Sequence, residues 1–189
     1  MEIQKLHLDR KEIDFDRYFG PGGNWSDSYS TDLYPKAVKA LSKKKMTVST
    51  AESCTGGLIS KLFTDVPGSS AVLNGGIVAY TNDVKMNVLG ISPETIENHT
   101  EISFECAAEM AECTRKLFGS DIGISTTGFA GPTGGNENDP VGTVYVGFST
   151  KNELTVYRIP FGDFTSRSGI RKCSAYFAIR YILAILECM

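Results

Sequence analysis

The sequence predicts a three-layer α/β/α domain built on a mixed, largely parallel sheet, and three observations carry that expectation. Short β-branched or apolar runs alternate with helix-length amphipathic stretches along most of the chain. Two of those runs end in small hydroxyl and glycine residues, Thr50-Ala51-Glu52-Ser53-Cys54-Thr55-Gly56-Gly57 and Thr126-Thr127-Gly128-Phe129-Ala130-Gly131-Pro132-Thr133-Gly134-Gly135, as tight strand-to-helix or strand-to-loop turns do. Finally, the runs 142–150 and 153–159 are separated only by Lys151-Asn152, a hairpin signal that adds antiparallel strands. With 189 residues the chain can bury one full core. The expected organisation is an N-terminal arm over 1–31 and one domain over 32–189.

In the arm, Phe19 to Ser28 has loop composition, and Trp25 fits either an arm packed on a neighbour or a free tail. Helix is expected over 32–45, with Asp32 as N-cap and Leu33, Val38 and Leu41 on one face. The first strand, Met46 to Ser49, feeds the serine turn, and a helix over 56–65 follows until Val66-Pro67-Gly68-Ser69-Ser70 breaks it. Val72 to Tyr80 reads as a strand in which Gly75-Gly76 marks close backbone approach. Asn82 is placed as the cap of a helix closing at Gly90. Ser92 with Pro93 opens a short helix to Glu97. Ser103 caps an amphipathic helix to Phe118 that Gly119 ends. A strand over 121–127 enters the second glycine block, and a last helix runs from about 164 to 187.

Bulk properties exclude several functions. The formal net charge is −3, and the one basic run, Lys43-Lys44-Lys45, reads as a solvated helix end, so duplex nucleic acid is not an expected partner. No apolar run approaches the ~20 residues that span a bilayer, so no membrane is expected. Five cysteines without a CxxC, behind an N-terminus without signal-peptide character, fit reduced thiols in the cytoplasm. His7 and His99 stand far from any motif, which argues against a His-based metal site or a Ser–His–Asp triad. Neither a Walker loop nor a GxGxxG fingerprint is present.

Without a useful histidine, a serine nucleophile needs another base. A lysine serves if burial or positive neighbours lower its pKa. Lys85, in Ala79-Tyr80-Thr81-Asn82-Asp83-Val84-Lys85, is the candidate, although such a position equally suits a solvated helix lysine. Ser53 and Ser70 are the candidate hydroxyls, each also readable as a turn or cap residue. One of the two is expected to attack and the other to hold the oxyanion or relay the proton, with position favouring Ser70 as nucleophile because Ser53 opens a glycine-rich helix N-terminus suited to holding negative charge. Thr127 closes a strand, where its hydroxyl can meet a ligand. Glu52 can orient Lys85, hold a sugar hydroxyl or serve structure. Arg167 and Arg171 lie one helical turn apart and can grip a phosphate together or simply decorate the surface. Ligands of such sheets sit at the carboxyl ends of strands, where both small-residue loops fall, so both should line one cavity.

Taken together these segments resemble the CinA C-terminal domain family, the nicotinamide-nucleotide amidases. The resemblance rests on Thr50 to Gly57, Gly68-Ser69-Ser70, Gly75 to Lys85, Leu89-Gly90-Ile91, Thr127 to Gly135 and Pro140-Val141-Gly142-Thr143-Val144-Tyr145, in that order. It implies hydrolysis of nicotinamide mononucleotide to nicotinic acid mononucleotide and ammonia, without metal or organic cofactor. The residues it implicates are Ser53, Ser70, Tyr80 and Lys85 in catalysis. Glu52, Thr55, Gly56, Gly57, Thr127, Gly128, Gly131 and Arg167 are expected around the substrate. A homo-oligomer is the expected assembly. Three places depart from the family's pattern: Glu101-Ile102 replaces its usual glycine and alanine before Ser103, Asp139 replaces a common lysine, and Phe164 replaces an arginine after Gly162-Asp163. The competing function is a non-catalytic nucleotide-binding or interaction module that keeps the fold.

Overall fold

A computed structural model describes residues 8–12, 32–162 and 166–188, the side chains of Glu12 and Cys188 excepted. The expectations for Trp25 and for the 163–165 entry to the last helix lie outside the described residues. Among the described residues six strands form one sheet: β1 (Leu8–Glu12), β2 (Val48–Glu52), β3 (Leu73–Val78), β4 (Ile122–Gly128), β5 (Thr143–Ser149) and β6 (Leu154–Pro160). Their spatial order is β1-β6-β5-β4-β2-β3. The pairs β1/β6, β4/β2 and β2/β3 are parallel. The pairs β4/β5 and β5/β6 are antiparallel, the latter being the hairpin around Lys151-Asn152.

One strand was not legible in sequence. β1 reads Leu-Asp-Arg-Lys-Glu, too charged and too short to register as a strand. It is nonetheless the sheet's edge. Leu8 packs against the buried cluster that contains Tyr145, Leu154 and Val156, and Arg10 pairs with Glu105. Charged edge strands of this kind discourage pairing with another chain.

Helices cover both faces. On one lie α1 (Leu33–Lys44), α2 (Leu58–Thr64) and the C-terminal α6 (Arg167–Cys188), enclosing the largest core cluster, in which Phe63, Phe148 and Phe177 are almost wholly buried. On the other lies α5 (Phe104–Phe118), packed across β4, β5, β2 and β6. Two short elements precede it: α3 (Asn82–Val84), which runs on as a π-helical turn over Lys85–Leu89, and α4 (Pro93–His99). Ser92 and Ser103 cap α4 and α5 through their hydroxyls, and Gly119 ends α5 in the left-handed region. Two caps differ from expectation. Asp32 makes no side-chain cap bond, and Thr81 rather than Asn82 caps α3, accepting from the amide of Val84 at 3.3 Å.

α5 approaches the sheet closely because β4 and β5 carry glycines beneath it. A Cβ on Gly147 would lie 2.6 Å from the carbonyl oxygen of Ala107, and one on Gly123 would strike the carbonyl of Ala111. Gly147→Ala is therefore expected to destabilise the protein by about 1–3 kcal/mol through overpacking. Calorimetric melting measures this, and an unchanged midpoint would mean that α5 sits farther out.

Candidate functional site

β2, β3 and β4 run side by side in the same direction, with Glu52 level with Val78 and with Thr126. Their carboxyl ends open on one cavity of ≈ 210 Å³. Ser53 and Cys54 line it from the end of β2, Tyr80 and Lys85 from beyond β3, and Gly128 and Ala130 from the end of β4. Glu101 and Ile102 close the side before α5, and Arg167 stands at the rim. The two small-residue loops thus meet at one pocket.

Lys85 is central to that pocket. It opens the π-helical turn, whose carbonyl accepts from the amide of Ile91 at 3.0 Å, and its side chain is only 1% exposed. π-turns are frequent at functional sites because the widened turn re-aims one side chain. The Lys85 Nζ donates to Ser53 Oγ at 3.4 Å. Burial lowers the Lys85 pKa, and Cys106, Glu101 and Cys54 pull it back up. Burial also pushes the Cys54 and Cys106 thiols up to about 12. At neutral pH both thiols are uncharged, so the Glu101 carboxylate is the charge that opposes the effect of burial.

Arg167 ties the rim together. Its guanidinium donates to the carbonyl of Gly131 at 2.7 Å and to the hydroxyl of Tyr80 at 3.2 Å, joining the second glycine loop to the turn after β3. Arg171 does not share that task. Its guanidinium donates twice to the carbonyl of Thr55, at 3.2 and 2.7 Å, and so fixes the serine loop from α6. Of this pair only Arg167 lines the cavity.

Several expected site residues serve the fold. Ser70 is exposed in a 3₁₀ turn (Ser69–Ala71) before β3. The six residues of β3 separate it from Tyr80, a span of about 20 Å at the usual rise per residue. It does not line the cavity, so within the chain Ser53 is the candidate hydroxyl that stands beside Lys85. Glu52 is fully buried, and its carboxylate accepts from the amides of Ile59 and Ser60 at 3.0 and 2.8 Å and from the Thr55 hydroxyl at 2.7 Å. It therefore occupies the amino end of α2, the seat the sequence reserved for a ligand anion. Thr55 spends its hydroxyl on Glu52 and on Thr126 at 2.6 Å. Gly56 and Gly57 make the turn in left-handed conformations and do not line the cavity. Thr127 is fully buried and donates to the carbonyl of Glu101 at 2.7 Å, so it positions a wall of the cavity from behind. Asp139, one of the departures, accepts from Tyr145 and from Arg158, each at 2.9 Å, outside the pocket.

Glu101, Ile102 and Cys54 line the cavity without having been singled out as site residues. Cys54 had a signal, since it directly follows Ser53. Glu101 had only its departure from a motif, because nothing local in the sequence brings residue 101 to residue 85.

A serine and a buried lysine at the carboxyl ends of adjacent parallel strands define the class: an α/β domain with a Ser–Lys pocket at its sheet edge. The chain belongs to the CinA C-terminal domain family, which it matches over residues 30–186. It is 42% identical over 180 residues to a CinA-like protein of Leptospira interrogans, covering 93% of this chain and 41% of that protein. Over 153 residues it is 49% identical to a Thermoanaerobacter protein of strain X514, provisionally named competence-damage inducible, covering 78% of this chain and 36% of that protein. The chain thus spans about two fifths or less of these relatives. Among solved structures, the competence/damage inducible protein CihA of Agrobacterium tumefaciens superposes with a TM-score of 0.79 at 33% identity, covering 82% of this chain and 94% of that one. Among the described residues no helix is long and apolar enough to cross a membrane, and no three His, Cys, Asp or Glu side chains group as metal ligands would.

Proposed function

We propose that the protein hydrolyses the carboxamide of a pyridine mononucleotide, converting nicotinamide mononucleotide and water to nicotinic acid mononucleotide and ammonia. One observation carries this reading: the Nζ of a buried lysine with a lowered pKa stands 3.4 Å from Ser53 Oγ in a cavity at the strand ends. A neutral Lys85 takes the Ser53 proton as Oγ attacks the amide carbon. The tetrahedral intermediate collapses when the lysine returns that proton to the amide nitrogen, the C–N bond breaks and ammonia leaves. Water, deprotonated by the same lysine, then hydrolyses the Ser53 ester and releases the carboxylate. The guanidinium of Arg167, at the rim beside Tyr80, supplies a charge for the nucleotide phosphate.

The serine assignment is tested by rapid quench and mass spectrometry with a slow amide substrate. Ser70→Ala is expected to accumulate the acyl adduct as the wild type does, and Ser53→Ala to accumulate none. An adduct that survives in Ser53→Ala and disappears in Ser70→Ala would reverse the assignment and require a second chain to bring Ser70 to the pocket. No adduct in any form would replace the covalent route by direct attack of water.

A further inference from the structure

The cavity carries one group the proposed mechanism does not use. Among the described residues Glu101 is its single carboxylate, in a lining whose other charged side chains are Lys85 and Arg167. No hydrogen bond or ion pair among the described residues takes up that carboxylate, and only the carbonyl of Glu101 is engaged, by Thr127 at 2.7 Å. The carboxylate is near enough to act electrostatically on Lys85 and on Cys106. Thr100 is held at φ 68, an uncommon conformation for a β-branched residue. The Thr100 hydroxyl donates to the carbonyl of Ile102 at 3.2 Å, and Ser103 Oγ donates to the carbonyl of Thr100 at 3.2 Å. The backbone that carries Glu101 is therefore held by bonds on both sides of it.

We infer that Glu101 makes the pocket selective for a substrate whose reacting ring is positively charged, while Arg167 takes the anionic group at its other end. The charge balance is the reason. In its base form Lys85 is neutral, which leaves the Glu101 carboxylate as an uncompensated negative charge in a half-buried cavity. An N-alkylated pyridinium supplies the missing positive charge beside the carboxamide. A neutral ring would desolvate the carboxylate without pairing it. Arg167 sets the opposite polarity at the rim, so the pocket is bipolar in the sense that a phosphorylated pyridinium riboside is bipolar. This inference rests on the amide-hydrolysis reading and names what that site discriminates.

The test compares nicotinamide mononucleotide with its reduced form, which has nearly the same shape and a neutral ring. Dissociation constants are measured by titration calorimetry with Ser53→Ala protein, where substrate is not consumed, with and without Glu101→Gln, and turnover is measured on the wild type. The cationic ligand is expected to bind about fivefold more weakly once Glu101 is neutral, the upper end of the scale for one partly exposed charge pair. The neutral ligand should change less than about twofold on the same scale. Glu101→Ala, which keeps the backbone bond from Thr127, should give the same ratio. Equal losses for both ligands would make Glu101 a hydrogen-bond acceptor for the ribose and overturn the inference, as would no loss for either. Discrimination that vanishes with Glu101 in a protein without turnover would remove the hydrolysis reading and keep the selectivity. Turnover with an unchanged ratio would do the reverse. Failure of both ligands to bind would remove both.

Discussion

Lys85→Ala is expected to lower turnover of nicotinamide mononucleotide by about 10²–10⁴-fold, the usual worth of a positioned general base. Lys85→Arg should not rescue it, because a guanidinium keeps its proton at any working pH. The pH profile follows from the direction of the shift. Burial holds the Lys85 pKa below its ordinary value of 10.5, so kcat/KM should rise with pH as the free lysine loses its proton, on an acid limb lying below 10.5. Lys85→Met separates chemistry from folding. Since the folded-state pKa is lower than the unfolded one, the unfolded chain binds more protons between the two values, and wild-type stability rises with pH across that interval. Below it the cost of the buried cation is constant. Lys85→Met should therefore melt at or above the wild type at neutral pH, with the difference shrinking as pH approaches 10.5, while remaining inactive. Near-normal turnover in Lys85→Ala would refute the mechanism outright.

Glu52→Ala should be the most destabilising single change around the pocket. It strips acceptors from the amides of Ile59 and Ser60 and from the hydroxyls of Thr55 and Ser60, all in or beside the core. Leaving several such donors unpaired costs about 3–5 kcal/mol, a fall in melting temperature on the order of 10 °C for a domain of this size. Glu52→Gln keeps the shape and one carbonyl oxygen but turns an NH₂ toward donors, so an intermediate loss is expected. For Glu52→Gln, KM should stay close to the wild-type value. A raised KM with an unchanged melting temperature would return Glu52 to the substrate.

Both predictions depend on long-range placement, and the sequence was informative only up to that point. Strand ends were readable because small residues interrupt β-branched runs, as at Ser53 and Gly128. The caps at Ser92 and Ser103 were readable because a hydroxyl before a helical period has few other roles. Lys85 was readable as a candidate but not as a buried group, since its neighbours Asp83, Val84 and Met86 describe an ordinary exposed turn. Its nitrogen meets Ser53 and feels Glu101 and Cys106, residues 16 to 32 positions away, which no local pattern records. Ser70 shows the converse: it belongs to a recognisable motif, yet the parallel direction of β3 carries it to the far end of the sheet.

The sequence by itself determined the α/β alternation, the hairpin, most helix limits and the two loops that meet at the pocket, because each follows from periodicity and turn chemistry within a few residues. The tertiary structure decided which charged groups face one another. It put the Glu52 carboxylate on the amino end of α2 and Arg171 on the serine loop, and it left Glu101 and Lys85 to share the cavity. Those outcomes depend on strand order and on how closely α5 and α6 lie on the sheet. Strand order is set by the packing of the whole core, and a local stretch of sequence carries no record of its distant neighbours.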